Sequence, residues 1–265
     1  MNTEHDKNIT DAPQVGLFAT CLVDALRPTV GFAAAKLLED AGCVVSVPER
    51  QVCCGQPAYN AGDRQAAAAI ARQTISLFEQ FDYVVAPSGS CAAMLRRHFP
   101  KLLSDDPDWA ARAASLGEKS WELTSFLTEI RGVTAVKSDF HSDFRGTVTY
   151  HDSCAGLREL GVQDQPRKLL ASIDGLTMKD HATADVCCGF GGTFCIKYGE
   201  ISTAMTDSKI DAILATGADT IVAGDLGCLL AIAGRLSRRG DRVEARHVAE
   251  LLAGMTDGPA IAGDG

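Results

Sequence analysis

This sequence predicts an α/β fold made of two tandem, repeated parallel-sheet units with cysteines at the carboxyl ends of the strands. The first observation is a repeat: Cys-Cys-Gly occurs as Cys53-Cys54-Gly55 and again as Cys187-Cys188-Gly189. Each copy is flanked upstream and downstream by one more cysteine, Cys21 and Cys91 in the first half and Cys154 and Cys228 in the second. Corresponding cysteines lie 133, 134, 134 and 137 residues apart, so the register holds across half the chain and points to internal duplication. The second observation is that short β-branched runs alternate with helical patterns, which favours a parallel sheet with right-handed crossovers. The third is that the cysteine positions follow the ends of those runs.

Taken in order, residues 15–20 are an apolar run ending at Cys21, and Pro28 opens a helical pattern to residue 41 in which Phe32, Ala35 and Leu38 share a face. Residues 44–47 form a second β-branched run ahead of the first Cys-Cys-Gly, and a helix from about residue 63 to 81 follows. Residues 83–87 make a third strand that runs into Ser88-Gly89-Ser90-Cys91 and another helix. Residues 105–119 are polar and Ala-rich, and residues 121–130 read as a helix packed through Trp121, Phe126 and Ile130. The second half repeats the order, with strands at 147–151, 176–178 and 220–224 and helices at 165–172 and 200–216. The expected units are 14–135 and 146–253, joined by an aperiodic linker at 136–145, with flexible tails at 1–13 and 256–265.

Composition narrows the function classes. With 46% hydrophobic residues among 265, each unit can bury a core. A net charge of −9 argues against a nucleic-acid surface, which needs clustered cations. The small basic clusters Arg96-Arg97-His98 and Arg238-Arg239 read as solvated helix ends favoured by the helix dipole. The polar start of the chain is unlike a secretory signal, and the most apolar stretch, 221–233, is short and contains Asp225. The expectation is a cytoplasmic protein without direct membrane insertion. Ten cysteines in a reducing compartment persist as thiols or metal thiolates, and adjacent cysteines cannot close a relaxed bridge with each other.

In an open parallel sheet the strand carboxyl ends share one edge, so four cysteines spread over about seventy positions can converge there. Helix N-termini at that edge favour anionic sulfur. Glycines such as Gly55, Gly89, Gly189, Gly191, Gly192 and Gly227 let backbone approach it, although ordinary strand-to-helix turns use glycine as well. Four thiolates suit zinc or an iron–sulfur cluster. The chain has no Cys-x-x-Cys knuckle, and neighbouring thiolates reach different irons more easily than they share one small ion, so the spacing favours iron–sulfur. The expected ligands are Cys21, Cys53, Cys54 and Cys91, and Cys154, Cys187, Cys188 and Cys228. Gly189-Phe-Gly-Gly192 lacks the strand, spacing and ribose-binding acid of a dinucleotide turn, and there is no Walker A or Gly-x-Ser-x-Gly sequence.

The cysteine arrangement, together with Phe18-Ala-Thr-Cys21, Cys53-Cys-Gly-Gln-Pro-Ala-Tyr-Asn60, Pro87-Ser-Gly-Ser-Cys91, Tyr150-His-Asp-Ser-Cys154 and Cys187-Cys-Gly-Phe-Gly-Gly-Thr-Phe194, resembles the CCG cysteine-rich domain family. That family includes heterodisulfide reductase and glycolate oxidase iron–sulfur subunits. The phrases resemble its lactate-utilization branch most, over about residues 14–253. The resemblance implies an iron–sulfur electron-transfer subunit that works with other iron–sulfur and accessory subunits in a cytoplasmic complex oxidising L-lactate to pyruvate, and that is inactive alone. In its fullest form the motif ends in Cys-x-x-Cys, but here Ser88 and Asp225 stand at the earlier positions. The departure weakens any transfer of noncubane clusters or disulfide chemistry and leaves one conventional 4Fe-4S cluster per half as the simpler expectation.

Ser88 and Asp225 are read as helix caps, with an oxygen-ligand role as the alternative. His151 and Asp152 are candidates to donate hydrogen bonds or relay a proton beside the second centre. Relatives often carry a histidine directly after the equivalent of Cys154, where this chain has Ala155, and this weakens the proton-relay idea. Cys43 reads as a small buried hydrophobe, and Cys195 as a thiol that the Gly-rich turn would bring near the second centre. Competing readings are a thiol–disulfide or heterodisulfide reductase, an iron–sulfur subunit acting on glycolate or another 2-hydroxy acid, and a non-redox zinc scaffold. The electron acceptor is not legible.

Overall fold

In the computed structural model, which describes residues 12–136 and 145–263, each half is organised around four parallel strands. The first sheet contains β1 (Gln14–Leu17), β2 (Val44–Ser46), β3 (Tyr83–Ala86) and β4 (Ser120–Glu122), side by side in the order β2-β1-β3-β4. The second contains β5 (Gly146–His151), β6 (Leu176–Met178), β7 (Thr220–Ala223) and β8 (Glu244–His247), in the matching order β6-β5-β7-β8. Every strand pairing among the described residues is parallel. The duplication read from the cysteines therefore extends to topology.

Local sequence explains most elements. Pro28 starts the helix Pro28–Asp40, whose Val30, Ala33, Ala34, Leu37 and Leu38 are buried. Asp63 caps the helix Arg64–Phe78 by accepting from the Ala66 N–H at 3.0 Å. Gly16 in β1 faces Phe78 and Phe81, whose rings lie where a Cβ would stand, 2.6–2.8 Å away at the nearest atoms.

Four expectations change. Trp121 belongs to strand β4, paired with Val85, and its ring is covered by the Arg96 guanidinium at 4.2 Å. The helix expected at 121–130 begins only at Leu123, where Glu122 caps it by accepting from the Ser125 N–H at 3.0 Å, and it finishes as a π-helical turn, Phe126–Ile130. The fourth strands, β4 and β8, are too polar to read as β-branched runs in sequence. Arg97 and His98 are not simply solvated: Arg97 Nε donates to the Glu159 carbonyl at 3.2 Å, and His98 pairs with the Glu159 carboxylate at 2.7 Å, tying the first half to the second. The described part of the expected loose tail returns to the second sheet. Ile261 is buried and its N–H donates to Ala245 O at 2.9 Å, while Arg246 reaches the carbonyls of Thr256 and Gly258. The expected linker at 136–145 lies mostly outside the described residues.

One apolar core runs through both halves, joining Val15, Leu17 and Leu38 to Val148, Leu170 and Leu252. The contacts follow the repeat. Helix Val248–Leu252 packs on Pro28–Asp40, and helix Leu123–Ser125 packs on Asp164–Leu170. Helix Gly89–Ala93 lies against Cys154–Leu160 so closely that a Cβ on Gly89 would stand 2.7 Å from Ser153 Oγ and 2.8 Å from Gly156 Cα. Polar groups lock the same seam: Glu250, fully buried, accepts from Arg27 Nε at 2.8 Å and Thr29 Oγ1 at 2.5 Å. His247 Nδ1 accepts from the Ala249 N–H, so its Nε2–H donates to Pro87 O at 3.2 Å.

Candidate metal centres

The cysteines sit where a strand hands over to a helix. Cys21 opens the helix Cys21–Leu26 shortly after β1, and Cys154 opens Cys154–Leu160 after β5. Thr20, just ahead of Cys21, has a φ of 61°, a conformation that is costly for a β-branched residue. Cys91 lies in the helix Gly89–Ala93 that follows β3, and Cys228 in the first turn of Leu226–Arg239 after β7. The Cys-Cys-Gly loops follow β2 and β6. Gly189 needs its missing side chain on two counts: its φ is 90°, and a Cβ would meet Ser202 O at 2.7 Å.

Within each half the four thiols form one chain of contacts. Cys53 accepts hydrogen bonds from the Cys21 and Cys54 thiols, which push its own pKa down to about 2, and Cys54 interacts in turn with Cys91. Cys187 is likewise pushed down to about 2 by the Cys154 and Cys188 thiols, helped by the Gly189 N–H at 3.4 Å, and Cys188 interacts with Cys228. The donor thiols Cys21, Cys54, Cys154 and Cys188 are all pushed upward, because each holds its proton toward a neighbouring sulfur, and burial adds to the rise at Cys54, Cys154 and Cys188. Cys228 accepts from Cys188, yet burial and the nearby Asp225 carboxylate carry it upward. All ten cysteines are free thiols. Four sulfurs in one chain of contacts, two of them adjacent in sequence, share one thiolate charge through their thiol protons, and further deprotonation calls for a cation. The donor set thus fits a soft metal or a cluster of metals.

The neighbouring candidates separate into distinct roles. Ser88 caps its own helix by accepting from the Cys91 N–H at 3.3 Å. Asp225 makes no side-chain hydrogen bond to the helix it precedes. Its Oδ2 instead accepts from Ser88 Oγ at 3.2 Å and Ser90 N–H at 2.9 Å, capping a helix of the other half. Asp152 is turned away from the sulfurs, both its oxygens taken by Arg167 at 2.7 and 2.8 Å. His151 does face them: a ring nitrogen of His151 and the sulfurs of Cys188 and Cys228 all lie within 4.8 Å of one another. Burial drives His151 down to about 3, so its ring is neutral. Cys43 is buried beside β2 as a hydrophobe.

Two features escaped the sequence reading. Lys209, 0% exposed, donates to Thr183 O and lies within electrostatic reach of Cys187, Cys188 and Cys228. The matching helix of the first half, Arg64–Phe78, buries no charged residue. Lys209 lies on one face with the buried Ser202 and Thr206, a polar stripe that is the only sequence signal for it. The Gly-rich turn also behaves differently from expectation. It reaches across to the first centre, where Phe190, Thr193 and Ile196 help to wall a cavity of about 250 Å³ together with Cys21, Cys53 and Cys91. Cys195 is directed elsewhere, its Sγ donating to Gly192 O at 3.4 Å.

Comparison with known proteins follows the same division into halves. The cysteine-rich domain model of the CCG family covers residues 15–96 and 148–233, the two halves just described. The chain is 46% identical over 239 residues to lactate utilization protein A of Bacillus cytotoxicus, covering 90% of this chain and 98% of that protein. The chain belongs to the lactate utilization protein A family. A second member of the lactate utilization protein A family, from an Exiguobacterium species, is 46% identical over 242 residues, covering 91% of this chain and 97% of its own. Among solved structures, a hypothetical protein from Helicobacter pylori superposes with a TM-score of 0.65 over 96% of this chain at 12% identity. This chain spans 49% of that protein, and the likeness concerns the fold alone.

Proposed function

We propose that this chain is the iron–sulfur electron-transfer subunit of a cytoplasmic complex that oxidises L-lactate to pyruvate, and that it carries one cluster per half, most simply 4Fe-4S. Cys21, Cys53, Cys54 and Cys91 would hold the first cluster, and Cys154, Cys187, Cys188 and Cys228 the second. The observation that carries the reading is the same four-thiol chain formed twice, with Cys53 and Cys187 as the matching thiolates. A bound iron–sulfur cluster supplies one-electron chemistry at a potential tuned by charge, hydrogen bonds and burial.

The protein's own residues supply the rest. Helices Gly89–Ala93 and Cys154–Leu160, which carry Cys91 and Cys154, pack directly on each other, so the two centres sit on either side of one rigid seam. Burial of Cys54 and Cys188, each 2% exposed, keeps water from the inner sulfurs. Oxidising a 2-hydroxy acid at carbon usually takes a flavin or nicotinamide. In this proposal that step belongs to partner subunits, and the isolated chain is inactive. No helix among the described residues is long and apolar enough to cross a membrane.

The test is the iron, sulfide and zinc content of anaerobically purified protein, with its EPR spectrum before and after dithionite. About eight irons per chain and a redox-dependent signal support two 4Fe-4S centres. Zinc without iron or sulfide would sink the proposal and leave a structural scaffold.

A further inference from the structure

The two halves differ at one position that bears on the second centre. The residue three places before Cys21 is Phe18, a core side chain packed on Phe78 at 5.6 Å between ring centroids; the residue three places before Cys154 is His151. Replacing an apolar ring by a buried imidazole costs stability unless both nitrogens are satisfied. Only one of them is. His151 Nδ1 lies 3.2 Å from Ala184 O, and because a carbonyl can only accept, Nδ1 carries the proton. In the neutral ring Nε2 then holds a bare lone pair. It has no hydrogen-bond partner, although the residue is 0% exposed.

We propose that His151 Nε2 is a metal ligand of the second centre, so that this centre has a mixed nitrogen–sulfur donor set while the first is all-sulfur. A ring nitrogen of His151 and the sulfurs of Cys188 and Cys228 lie within 4.8 Å of one another, with all three residues buried, and Nε2 is the nitrogen left without a hydrogen-bond partner. The opposite nitrogen is held as metal-ligating histidines usually are, by donating its N–H to a backbone carbonyl that fixes tautomer and ring orientation. That carbonyl is itself held, since Ala184 O also accepts from the Asp152 N–H at 3.0 Å. Donation from His151 to a cluster sulfur would require a proton on Nε2, and the Ala184 contact places it on Nδ1. The inference rests on the reading that the second centre binds metal. It adds that the centres are chemically unequal, the second having a neutral imidazole beside its four thiols where the first has sulfur alone.

The experiment is pulsed EPR on the anaerobically purified full chain, prepared unlabelled and with [15N]histidine, beside the variant His151→Phe, which restores the first half's residue. A nitrogen coupling that changes isotope with histidine labelling supports the proposal, as does its loss in His151→Phe with the first centre's signal retained. Because the labelling arm uses the native sequence, a variant that fails to load does not remove the test. If iron and sulfide are present but the spectrum ignores histidine labelling, the ligand proposal falls and the cluster reading stands. If zinc replaces the cluster, the cluster reading falls, and X-ray absorption decides the ligand: a nitrogen scatterer at about 2.0–2.1 Å supports it, and an all-sulfur shell overturns it. A chain that takes up neither metal overturns both.

Discussion

Asp225 Oδ2 accepts hydrogen bonds from the Ser88 hydroxyl at 3.2 Å and from the Ser90 N–H at 2.9 Å, so the residue ahead of the second half's long helix caps a helix in the first half. Ser88 and Asp225 occupy equivalent places in the duplicated motif and meet across the seam, 137 residues apart in sequence. Asp225→Ala leaves the Ser90 N–H and Ser88 hydroxyl short of an acceptor and should cost about 1–3 kcal/mol in urea denaturation. Asp225→Asn keeps an acceptor oxygen and should cost less, with metal content per chain unchanged. Loss of half the metal in Asp225→Asn would identify the carboxylate as a ligand instead.

The thiol chains make a separable prediction. Cys54→Ser and Cys188→Ser each remove an inner sulfur that interacts with two other cysteines of its set, and each should lower iron per chain by about half, the share of one of two 4Fe-4S clusters. Cys43→Ser and Cys195→Ser should leave iron unchanged, because Cys43 is buried as a hydrophobe beside β2 and the Cys195 thiol donates to Gly192 O. Equal losses in all four variants, measured by metal analysis, would discredit the ligand assignment.

Close approach of Gly89 to Ser153 and Gly156 gives a test of the seam itself. Gly89→Ala forces a methyl into space already held by backbone and should destabilise the protein by about 1–3 kcal/mol. Gly199→Ala, where φ is likewise not positive and a Cβ meets nothing within 4 Å, is the control without the clash and should not destabilise the protein. A Gly89 variant as stable as the parent would mean that the halves are not held this tightly in solution.

Acid should weaken the metal-free protein. His151, His181 and His247 are all held below the usual imidazole value, chiefly by burial. Once the pH falls below about 6.5 the unfolded chain takes up protons that the folded chain refuses, so stability drops as pH falls and is fully present only above that value. For His151, whose folded value is about 3, the loss reaches about 2 kcal/mol by pH 5. Denaturation of the metal-free protein at pH 7.5 and pH 5 checks this, and His151→Phe should shrink the difference by about that amount. A flat profile would show that the histidines are open to water.

Much of the architecture was readable from local signals. Strands β1, β3, β5 and β7 are apolar or β-branched runs, Pro28 and Asp63 mark helix starts, and the duplicated Cys-Cys-Gly announces the repeat. The fourth strands were not readable, because β4 (Ser-Trp-Glu) and β8 (Glu-Ala-Arg-His) lack the β-branched residues that marked the other strands. Trp121 shows the difficulty: an aromatic beside Phe126 looks like one helical face, but its pairing with Val85 draws it into the sheet.

The sequence by itself determined that eight cysteines form two equivalent sets and that each set lies at strand ends, since composition, spacing and the period of the repeat are local or countable properties. Only the tertiary structure decided what faces each set. His151 meets Cys188 and Cys228, Lys209 comes within electrostatic reach of the same sulfurs, Asp152 turns to Arg167, and Asp225 crosses to Ser88. Those outcomes depend on the direction in which each side chain leaves its strand or helix and on how two halves share one core. Neither is encoded in any single stretch of residues.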